Sequence, residues 1–210
     1  LAVSVQVLAP DLRPTDVHLN GPAVIGRQAD IVNSAVNQGD GLIDYPWTDR
    51  LYLSTNNAVF DAGDIEIPDY YGGSRNPGTL AAGQGYTQTN MIMMPIVSPG
   101  TYHLIWRADA NGEIAESDEA NNELAVSVQV LAPDLRPTDV HLNGPAVAGQ
   151  KVQIVYSVIN QGDGSTPGGL RDRLYLSSDE VLDGSDIEIR PYYESYWDIT
   201  GPIAAGQGYS

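Results

Sequence analysis

The sequence LAVSVQVLAPDLRPTDVHLNGPAV occupies residues 1–24 and returns without a change at residues 124–147. A match of this length does not arise by chance, and the two copies begin 123 residues apart. That spacing is one ordinary domain length and is far longer than the unit of a solenoid. The chain is therefore predicted to be an array of domains.

The repeated stretch also predicts where one domain ends and the next begins. Within residues 124–131, Leu and Val alternate with Ala, Ser and Gln, which is typical of a strand with one buried face. Ala132-Pro133 ends this strand, because proline has no N–H to donate to a ladder. Asp134 opens the next domain, and the joint at 131–133 is too short for a flexible tether. Successive domains are expected to sit end to end.

These boundaries divide the chain into three parts. Residues 1–9 are predicted to be the last strand of a preceding repeat, and residues 10–132 a complete sandwich repeat. Residues 133–210 are predicted to be a truncated second copy of that repeat. On this interpretation the chain is a fragment of a longer protein.

Composition excludes several classes of partner. The chain has 27 acidic and 10 basic side chains and a formal charge of −17. Its sequence contains a single lysine, Lys151. Nucleic acids and anionic membrane surfaces both need clustered positive charge, so they are disfavoured, whereas divalent cations are favoured. There are no cysteines, hence no disulfide and no thiolate metal site. No apolar stretch approaches the roughly 20 residues of a spanning helix, so membrane insertion is not expected.

Short alternating segments separated by turn residues follow one another along each copy. The first, 11–19, contains two prolines and is therefore predicted to be an edge strand. The next, 29–35, ends at the turn Asn37-Gln38-Gly39-Asp40-Gly41, and its Asn33 is either hydrogen-bonded locally or only half buried. About seven such strands without helical periodicity predict an all-β fold, a tandem array of antiparallel immunoglobulin-like sandwiches.

Several motifs resemble one known family. Tyr102–Asp109 followed by Glu116-Ser117-Asp118-Glu119-Ala120-Asn121-Asn122 is similar to the closing hairpin of the CARDB family, the cell-adhesion-related domain found in bacteria. Pro133-Asp134-Leu135, Asn160-Gln161-Gly162 and Leu174–Ser177 match its earlier motifs in the same order. The resemblance spans a whole repeat. It implies an immunoglobulin-like sandwich, usually in tandem within exported bacterial or archaeal surface proteins, and it implies no catalytic residues.

Two acidic loops are candidate calcium sites. The first loop, 56–64, returns as 179–186, and closely spaced carboxylates and amides on a glycine-containing turn supply the oxygen ligands that calcium prefers. Its candidate ligands are Asn56, Asp61 and Asp64 in the first copy and Asp179, Asp183 and Asp186 in the second. A solvated acidic turn without an ion is the alternative.

The second acidic loop, 109–116, begins like a calcium-binding loop, with oxygen-bearing side chains at alternate positions and a glycine at the bend. Its candidate ligands are Asp109, Asn111, Glu113 and Glu116. It lacks the spacing to the twelfth-position glutamate of an EF-hand. In either loop, calcium would cancel local repulsion and stiffen the domain.

Catalytic chemistry is not indicated. His18 and His141 occupy the same repeat position without a second histidine or cysteine nearby, and zinc needs three or four convergent ligands. No Gly-x-Ser-x-Gly elbow is present. A carboxylate pair for glycoside hydrolysis is improbable in a repeated domain, so the chain is predicted not to be an enzyme.

Aromatic residues support an alternative function. Tyr70, Tyr71, Tyr192, Tyr193, Tyr196 and Trp197 flank a variable Gly/Ser-rich segment. Such residues either stack on sugar rings or bury against the domain. The first possibility would make the chain a carbohydrate-binding accessory module of a secreted enzyme.

Together these features predict a structural and adhesive repeat module of an extracellular fibre or cell-surface adhesin. Its expected partners are neighbouring repeats of the same protein, through self-association into a fibre, and a surface polysaccharide or protein.

Overall fold

The computed structural model of the chain describes residues 2–68, 78–191 and 197–210. The backbone divides into two compact units, Leu1–Leu131 and Ala132–Ser210, called unit 1 and unit 2 below. The described residues form strands, turns and irregular segments, and no helix is assigned among them. The predicted all-β sandwich fold class is confirmed.

Unit 1 consists of two sheets. The three-stranded sheet has the order β1-β3-β6, and the five-stranded sheet has the order β2-β8-β7-β4-β5. All neighbouring strands are antiparallel except β2 and β8, which run parallel over two residue pairs. The strands are β1 (Leu12–Asn20), β2 (Ala23–Val24), β3 (Gln28–Asn37), β4 (Arg50–Ser54), β5 (Ile65–Ile67), β6 (Gly85–Met93), β7 (Gly100–Arg107) and β8 (Glu123–Leu131).

One apolar cluster fills the space between the two sheets of unit 1. Leu12 and Val17 of β1 and Ile31 of β3 enter it from the three-stranded sheet. Leu104 and Trp106 of β7 enter it from the five-stranded sheet. Burying each such side chain contributes about 1.5–3 kcal/mol before the loss of chain entropy. The sandwich is therefore held by packing, as the absence of cysteine requires.

Strand β1 lies at the edge of its sheet, as its prolines predict. It pairs with β3, and the register shifts between Pro14 and Asp16, where Thr15 bulges out and donates its hydroxyl to the carbonyl oxygen of Ser34. Asn33 of β3 is buried, so the half-buried alternative for this position is wrong.

The described residues of unit 2 form three small sheets. The first has the order β15-β10-β9, and β11-β14 and β12-β13 form the other two. Strands β9 and β10 pair in the register of β1 and β3, with the shift at the same repeat position. The strands are β9 (Leu135–Asn143), β10 (Gln153–Asn160), β11 (Leu170–Asp172), β12 (Leu174–Leu176), β13 (Ile187–Ile189), β14 (Trp197–Ile199) and β15 (Gly208–Tyr209).

Residues 2–8 form no strand, although their sequence is that of residues 125–131 in β8. Val3, Val5 and Val7 are exposed. The expectation that this segment closes a preceding repeat stays a prediction. Among the described residues, no helix is long and apolar enough to cross a membrane.

Candidate functional site

The first acidic loop brings its three predicted ligands together in unit 1. Asn56 donates its amide N–H to Asp61 Oδ2 at 2.7 Å, and the backbone N–H of Asp61 donates to Asp64 Oδ2 at 2.8 Å. Gly63 N–H donates to Asp61 Oδ1 at 2.7 Å. The Asn56 amide, and then the Gly63 N–H, lower the pKa of Asp61. The loop therefore satisfies its carboxylates with its own donors.

The equivalent loop of unit 2 repeats half of this arrangement. Asp183 N–H donates to Asp186 Oδ2 at 2.8 Å, and Ser185 donates both its hydroxyl, at 2.7 Å, and its N–H, at 2.8 Å, to Asp183 Oδ1. These two donations lower the pKa of Asp183, the hydroxyl most. Asp179 instead accepts the N–H of Val181 at 2.8 Å. The structure brings Asp183 and Asp186 together and uses Asp179 to cap its own turn.

The first loop of unit 1 also covers the outer face of the five-stranded sheet. Phe60 packs on Tyr52 with ring centroids 4.4 Å apart, and the Arg107 guanidinium lies 4.3 Å from the Phe60 ring. Arg107 in turn contacts Glu123 at 2.9 Å, and the Phe60 N–H donates to the same carboxylate at 3.3 Å. Tyr52 and its strand partner Ile105 are buried although they lie outside the inter-sheet cluster. The loop therefore has a packing role that needs no ion.

The second acidic loop uses its first carboxylate internally. Asp109 is buried with a left-handed backbone, φ 44°, and its two oxygens accept the N–H groups of Glu113 and Ile114, each at 2.8 Å. Burial raises the pKa of Asp109 in spite of these bonds. Asn111 and Glu113 are exposed. Asp109 thus folds the loop so that Ile114 enters the core.

Glu116, the fourth predicted ligand of this loop, belongs to a separate network, which we call the closing latch: Asp11, Glu116, Ser117, Asn121 and Asn122. Glu116 Oε2 accepts the N–H of Leu12, and Oε1 accepts the Asn122 amide at 2.8 Å. Burial raises the pKa of Glu116 to about 7. The latch joins the start of β1 to the segment before β8.

The buried Asp11 forms the other half of the closing latch. Its carboxylate accepts the Asn121 amide at 2.9 Å, the Ser117 hydroxyl at 3.3 Å and the Gln38 amide at 3.1 Å. The Glu-x-x-x-x-Asn-Asn motif at the end of the domain therefore forms hydrogen bonds with the residues at the start of β1. Among the described residues, no group of three or more His, Asp or Glu side chains is arranged to hold a metal ion. Calcium binding stays a prediction for both loops.

A second network occurs once in each unit, and we call it the entry clamp. It joins residues 9–11 to residues 37–41 in unit 1, and residues 132–134 to residues 160–164 in unit 2. In unit 1 the buried Asn37 accepts the N–H groups of Asp11, at 3.0 Å, and Gly39, at 3.2 Å. Its amide donates to the carbonyl oxygens of Gly41, at 2.8 Å, and Leu80, at 3.2 Å. Every hydrogen-bonding group of this side chain is satisfied, as burial demands.

Asn160 repeats the entry clamp in unit 2. It accepts the N–H groups of Asp134, at 2.9 Å, and Gly162, at 3.2 Å, and donates to Gly164, at 2.8 Å, and Ile203, at 3.1 Å. A Cβ at Gly162 would overlap the carbonyl oxygen of Ala132, so glycine is required there. The sequence identified Asn-Gln-Gly-Asp-Gly only as a turn. Its recurrence in both copies was the signal that it had a larger role.

His18 and His141 occupy exposed positions on the first strand of each unit. His18 Nδ1 is 2.9 Å from Asp16 Oδ2, and His141 Nδ1 is 2.9 Å from Asp139 Oδ2, on the exposed sides of β1 and β9. His103 is half buried on β7. Each of the two exposed histidines thus contacts a carboxylate two residues earlier.

The predicted aromatic platform cannot be placed. Tyr70, Tyr71, Tyr192, Tyr193 and Tyr196 lie outside the described residues, and only the backbone of Trp197 is described, as the start of β14.

The fold, the closing latch and the entry clamp define an immunoglobulin-like sandwich. The polar side chains of both networks have a structural role. The CARDB family model matches residues 9–126, more than half of the chain. The chain belongs to the CARDB family, a non-catalytic, cell-adhesion-related family associated with cell-surface adhesion proteins. No curated protein matches the chain.

Solved structures with a similar fold include two of one CARDB domain from Pyrococcus furiosus. Its crystal structure, in complex with di-metal ions, is 17% identical, covers 60% of this chain and 97% of that chain, and has a TM-score of 0.43. Its solution structure is 19% identical, with 59% and 97% covered and a TM-score of 0.38. A β-glucosidase from Listeria innocua is 12% identical, with 59% and 16% covered and a TM-score of 0.36.

Proposed function

We propose that this chain is a structural and adhesive repeat module of an extracellular fibre or cell-surface adhesin. The observation that carries the proposal is the entry clamp, formed by the same residue types with nearly the same distances around Asn37 and Asn160. Such a module transmits tension along its chain, and it needs a firm attachment where the chain enters each domain.

The entry clamp and the closing latch provide that attachment in unit 1. Ala9 accepts the N–H groups of Asp40 and Gly41 at 3.1 and 3.0 Å and donates its own N–H to Asp40 Oδ1 at 3.1 Å. Ser117 N–H donates to the carbonyl oxygen of Pro10 at 2.9 Å. A force applied to residue 9 must break several of these bonds together before β1 separates from β3. Hydrogen bonds that bear a force at the same time withstand a higher force than hydrogen bonds that bear it one after another.

The junction between the units supports the same function. The carbonyl oxygen of Leu131 accepts the Ile25 N–H at 3.0 Å within unit 1. The next residue, Ala132, donates its N–H to Asp163 Oδ1 at 2.9 Å within unit 2. Leu131 and Ala132 are therefore each hydrogen-bonded within their own unit.

The proposed partners follow from charge and repetition. The net charge of −17 disfavours nucleic acid and anionic membranes. Neighbouring repeats of the same protein, in self-association, and a surface polysaccharide or protein are the partners we propose. Calcium bound at the acidic loops would reduce repulsion between adjacent carboxylates and stiffen the module further.

Single-molecule stretching tests the mechanical part of this proposal. The full chain, held at its two ends, is expected to show one high-force event from unit 1, and Asn37→Ala is expected to lower that force. Thr101→Ala, an exposed substitution on β7, serves as the matched control and should leave it unchanged. An equal unfolding force in Asn37→Ala would contradict the mechanical role of the clamp.

Labelling of intact cells tests the location. Antibodies raised against unit 1 are expected to label the producing cells without permeabilisation. Labelling that appears only after permeabilisation would contradict an extracellular or cell-surface module.

A further inference from the structure

Three Asn-Gly pairs occur in the chain, and the structure gives each of them different surroundings. They are Asn20-Gly21, Asn111-Gly112 and Asn143-Gly144. An asparagine before glycine can lose its side-chain amide, because glycine has no Cβ to hinder attack of its backbone nitrogen on the asparagine side chain. The reaction needs an asparagine amide and a glycine N–H that are not held by hydrogen bonds. The hydrogen bonds of the three pairs therefore indicate which pair reacts.

The first pair meets both requirements. Asn20 is the last residue of β1, and both Asn20 and Gly21 are exposed. Gly21 has φ 124° and open space around it. Among the residues that the structure describes, neither the Asn20 side chain nor the Gly21 N–H has a hydrogen-bond partner. Nothing in the structure therefore holds the two reacting groups.

Each of the other two pairs has one of its reacting groups held by a hydrogen bond. The Gly112 N–H donates to the carbonyl oxygen of Asp109 at 2.9 Å, so the attacking nitrogen of this pair is engaged in a turn. The Asn143 amide donates to Gln153 Oε1 at 3.0 Å, so the leaving group of this pair is engaged. Both bonds must break before the reaction can start.

The two copies of the repeat differ in the residue opposite the asparagine. Asn20 and Asn143 occupy the same position of the sequence that residues 1–24 and 124–147 share. Asn20 pairs with Asp30 across the ladder, and Asn143 pairs with Gln153. Because the sequence around the two asparagines is identical, a difference in their reactivity must come from the fold and from the residue opposite.

We propose that Asn20 is a site of spontaneous deamidation, and that the residue opposite it in β3 sets the rate. The Gly21 nitrogen forms a bond to Cγ of Asn20, and the bond from Cγ to Nδ2 breaks. The proton of the Gly21 N–H leaves with the side-chain nitrogen as ammonia, and a succinimide ring remains. Water then opens this ring at one of its two carbonyl groups and leaves aspartate or isoaspartate at position 20. Water is the one other reactant that the reaction consumes.

The modification would change the place where the chain passes between the two sheets of unit 1. β1 belongs to the three-stranded sheet and β2 to the five-stranded sheet, and residues 21–22 lie between them. Isoaspartate adds a carbon atom to the backbone at this crossing. Either product also places a carboxylate directly opposite Asp30, and like charges in that position destabilise a strand pair. Deamidation is therefore expected to weaken the pairing of β1 with β3.

Mass spectrometry of the full chain, incubated in mildly alkaline buffer, tests the site. A protease that cuts before aspartate places the three pairs in separate peptides, which begin at Asp16, Asp109 and Asp139. In the folded chain Asn20 is expected to react faster than Asn111. In the chain unfolded by urea, Asn20 and Asn143 are expected to react at the same rate, because their neighbours in sequence are identical. A folded chain in which Asn20 reacts no faster than Asn111 would overturn the inference.

Two reciprocal substitutions test the role of the residue opposite. Asp30→Gln gives unit 1 the residue of unit 2 and is expected to slow the reaction of Asn20 by about threefold or more, through the hydrogen bond that it supplies. Gln153→Asp is expected to speed the reaction of Asn143 by a similar factor. Asp30→Ala is the control, since alanine has no acceptor, and it should not slow the reaction of Asn20.

The outcomes of these substitutions are decisive. An unchanged rate at Asn20 in Asp30→Gln, or an equal slowing in Asp30→Ala, would overturn the role assigned to the hydrogen bond. An unchanged rate at Asn143 in Gln153→Asp would do the same in unit 2. The stretching and labelling experiments test the proposed function independently of these results.

Discussion

Strands β1 and β9 have the same nine letters and the same backbone pairing, yet their side chains have different surroundings. Both pair with the following long strand in one register, with a bulge at the same position. Val17 of β1 is 1% exposed, whereas its copy Val140 in β9 is 64% exposed. Identical sequence has therefore produced an identical hairpin and different burial.

The difference shows which properties a segment specifies by itself. The hairpin register needs only β1 and β3, or β9 and β10, and the entry clamp adds one carbonyl oxygen farther along the chain, that of Leu80 or Ile203. Both units contain these residues. Burial of β1 needs β7 and β8, which supply the opposite wall of the core. The described residues of unit 2 include no counterpart of those two strands. The hairpin and the entry clamp therefore form in both units, whereas burial of their first strand depends on the opposite wall of the core.

The largest expected effect comes from truncating one core position in each unit. Leu53 is 1% exposed and its copy Leu176 is 61% exposed. Leu53→Ala should lower the free energy of unfolding of unit 1 by about 2–5 kcal/mol, because a cavity opens in the core. Leu176→Ala should change stability by less than about 0.5 kcal/mol. Urea unfolding followed by the fluorescence of the buried Trp47 and Trp106 measures the first, and amide exchange in unit 2 measures the second. Equal losses would contradict the comparison.

The clamp asparagines should behave alike in the two units. Asn37→Ala and Asn160→Ala each remove the partner of two N–H groups and one carbonyl oxygen, and we expect each to cost about 1–3 kcal/mol. The carbonyl oxygens of Leu80 and Ile203 keep the N–H groups of Ile43 and Thr166. The readout for unit 1 is urea unfolding, and that for unit 2 is exchange of the Asn160 N–H, which is bonded to Gln207 at 2.8 Å. Asn37→Asp, which places a carboxylate oxygen against the carbonyl oxygens of Gly41 and Leu80 at a buried position, should cost at least as much as Asn37→Ala. A large effect in unit 1 alone would mean that the clamp acts through the complete core.

Sequence patterns predicted the strands because alternation of apolar and polar residues is itself the local signal. They located the edge strand from its two prolines. They did not predict that Asn37 is buried, because an asparagine beside glycines is ordinary turn chemistry. Its role depends on contacts with Asp11 and Leu80, 26 and 43 residues away. No spacing rule shows contacts of that range.

The stability of unit 1 should depend on pH through Glu116. The pKa of Glu116 is raised from 4.5 to about 7, so the folded chain binds this proton more tightly than the unfolded chain. Its contribution to stability is present below pH 4.5 and is lost as pH rises through about 7. We expect a loss of about 1–2 kcal/mol between pH 5 and 8, reduced from the full shift because the carboxyl is partly exposed.

Glu116→Gln tests this effect. The amide resembles the protonated acid, and Asn122, whose Oδ1 has no other partner among the described residues, can rotate to accept from it. Urea unfolding from pH 5 to 8 should therefore show a smaller slope in the variant than in the unaltered chain. The same slope in both would place the proton dependence elsewhere, for example at Asp109, whose pKa is also raised by burial.

Substitutions in the first acidic loop should also affect the stability of the two units differently, but by a smaller amount. Phe60 packs on Tyr52 and Arg107, whereas Leu182, at the matching position of unit 2, is 67% exposed. Phe60→Ala should cost about 1–2 kcal/mol through lost ring packing and the lost cation–π contact. Leu182→Ala should cost almost nothing. A negligible effect of Phe60→Ala in urea unfolding would show that the loop does not support the sheet beneath it.

The sequence indicates the strands more fully than it indicates the hydrogen-bond partners of the candidate ligands, for a physical reason. Asp109 and Glu116 were grouped as ligands because they share one short loop, but each carboxylate accepts hydrogen bonds from a different part of the domain. A run of acidic residues does not distinguish oxygens that face solvent from oxygens that accept internal N–H groups. Asp61 with Asp64, and Asp183 with Asp186, are the pairs that sequence proximity did bring together.

Calcium should have the smallest effect on stability among these predictions. Its effect should be larger in unit 2 than in unit 1. The loop of unit 1 has an amide at Asn56, whose N–H occupies Asp61 Oδ2. The loop of unit 2 has carboxylates at Asp179 and Glu180 and therefore offers more charge to a cation. At ten times its dissociation constant, calcium would add about 1.4 kcal/mol to the stability of the unit that binds it. Amide exchange around Asp183 and Asp61, with calcium and with chelator, measures the two loops separately, and Asp183→Asn is the control. Unchanged exchange in both loops would show that they are ion-free turns, and a larger effect at Asp61 would show that loop geometry matters more than charge.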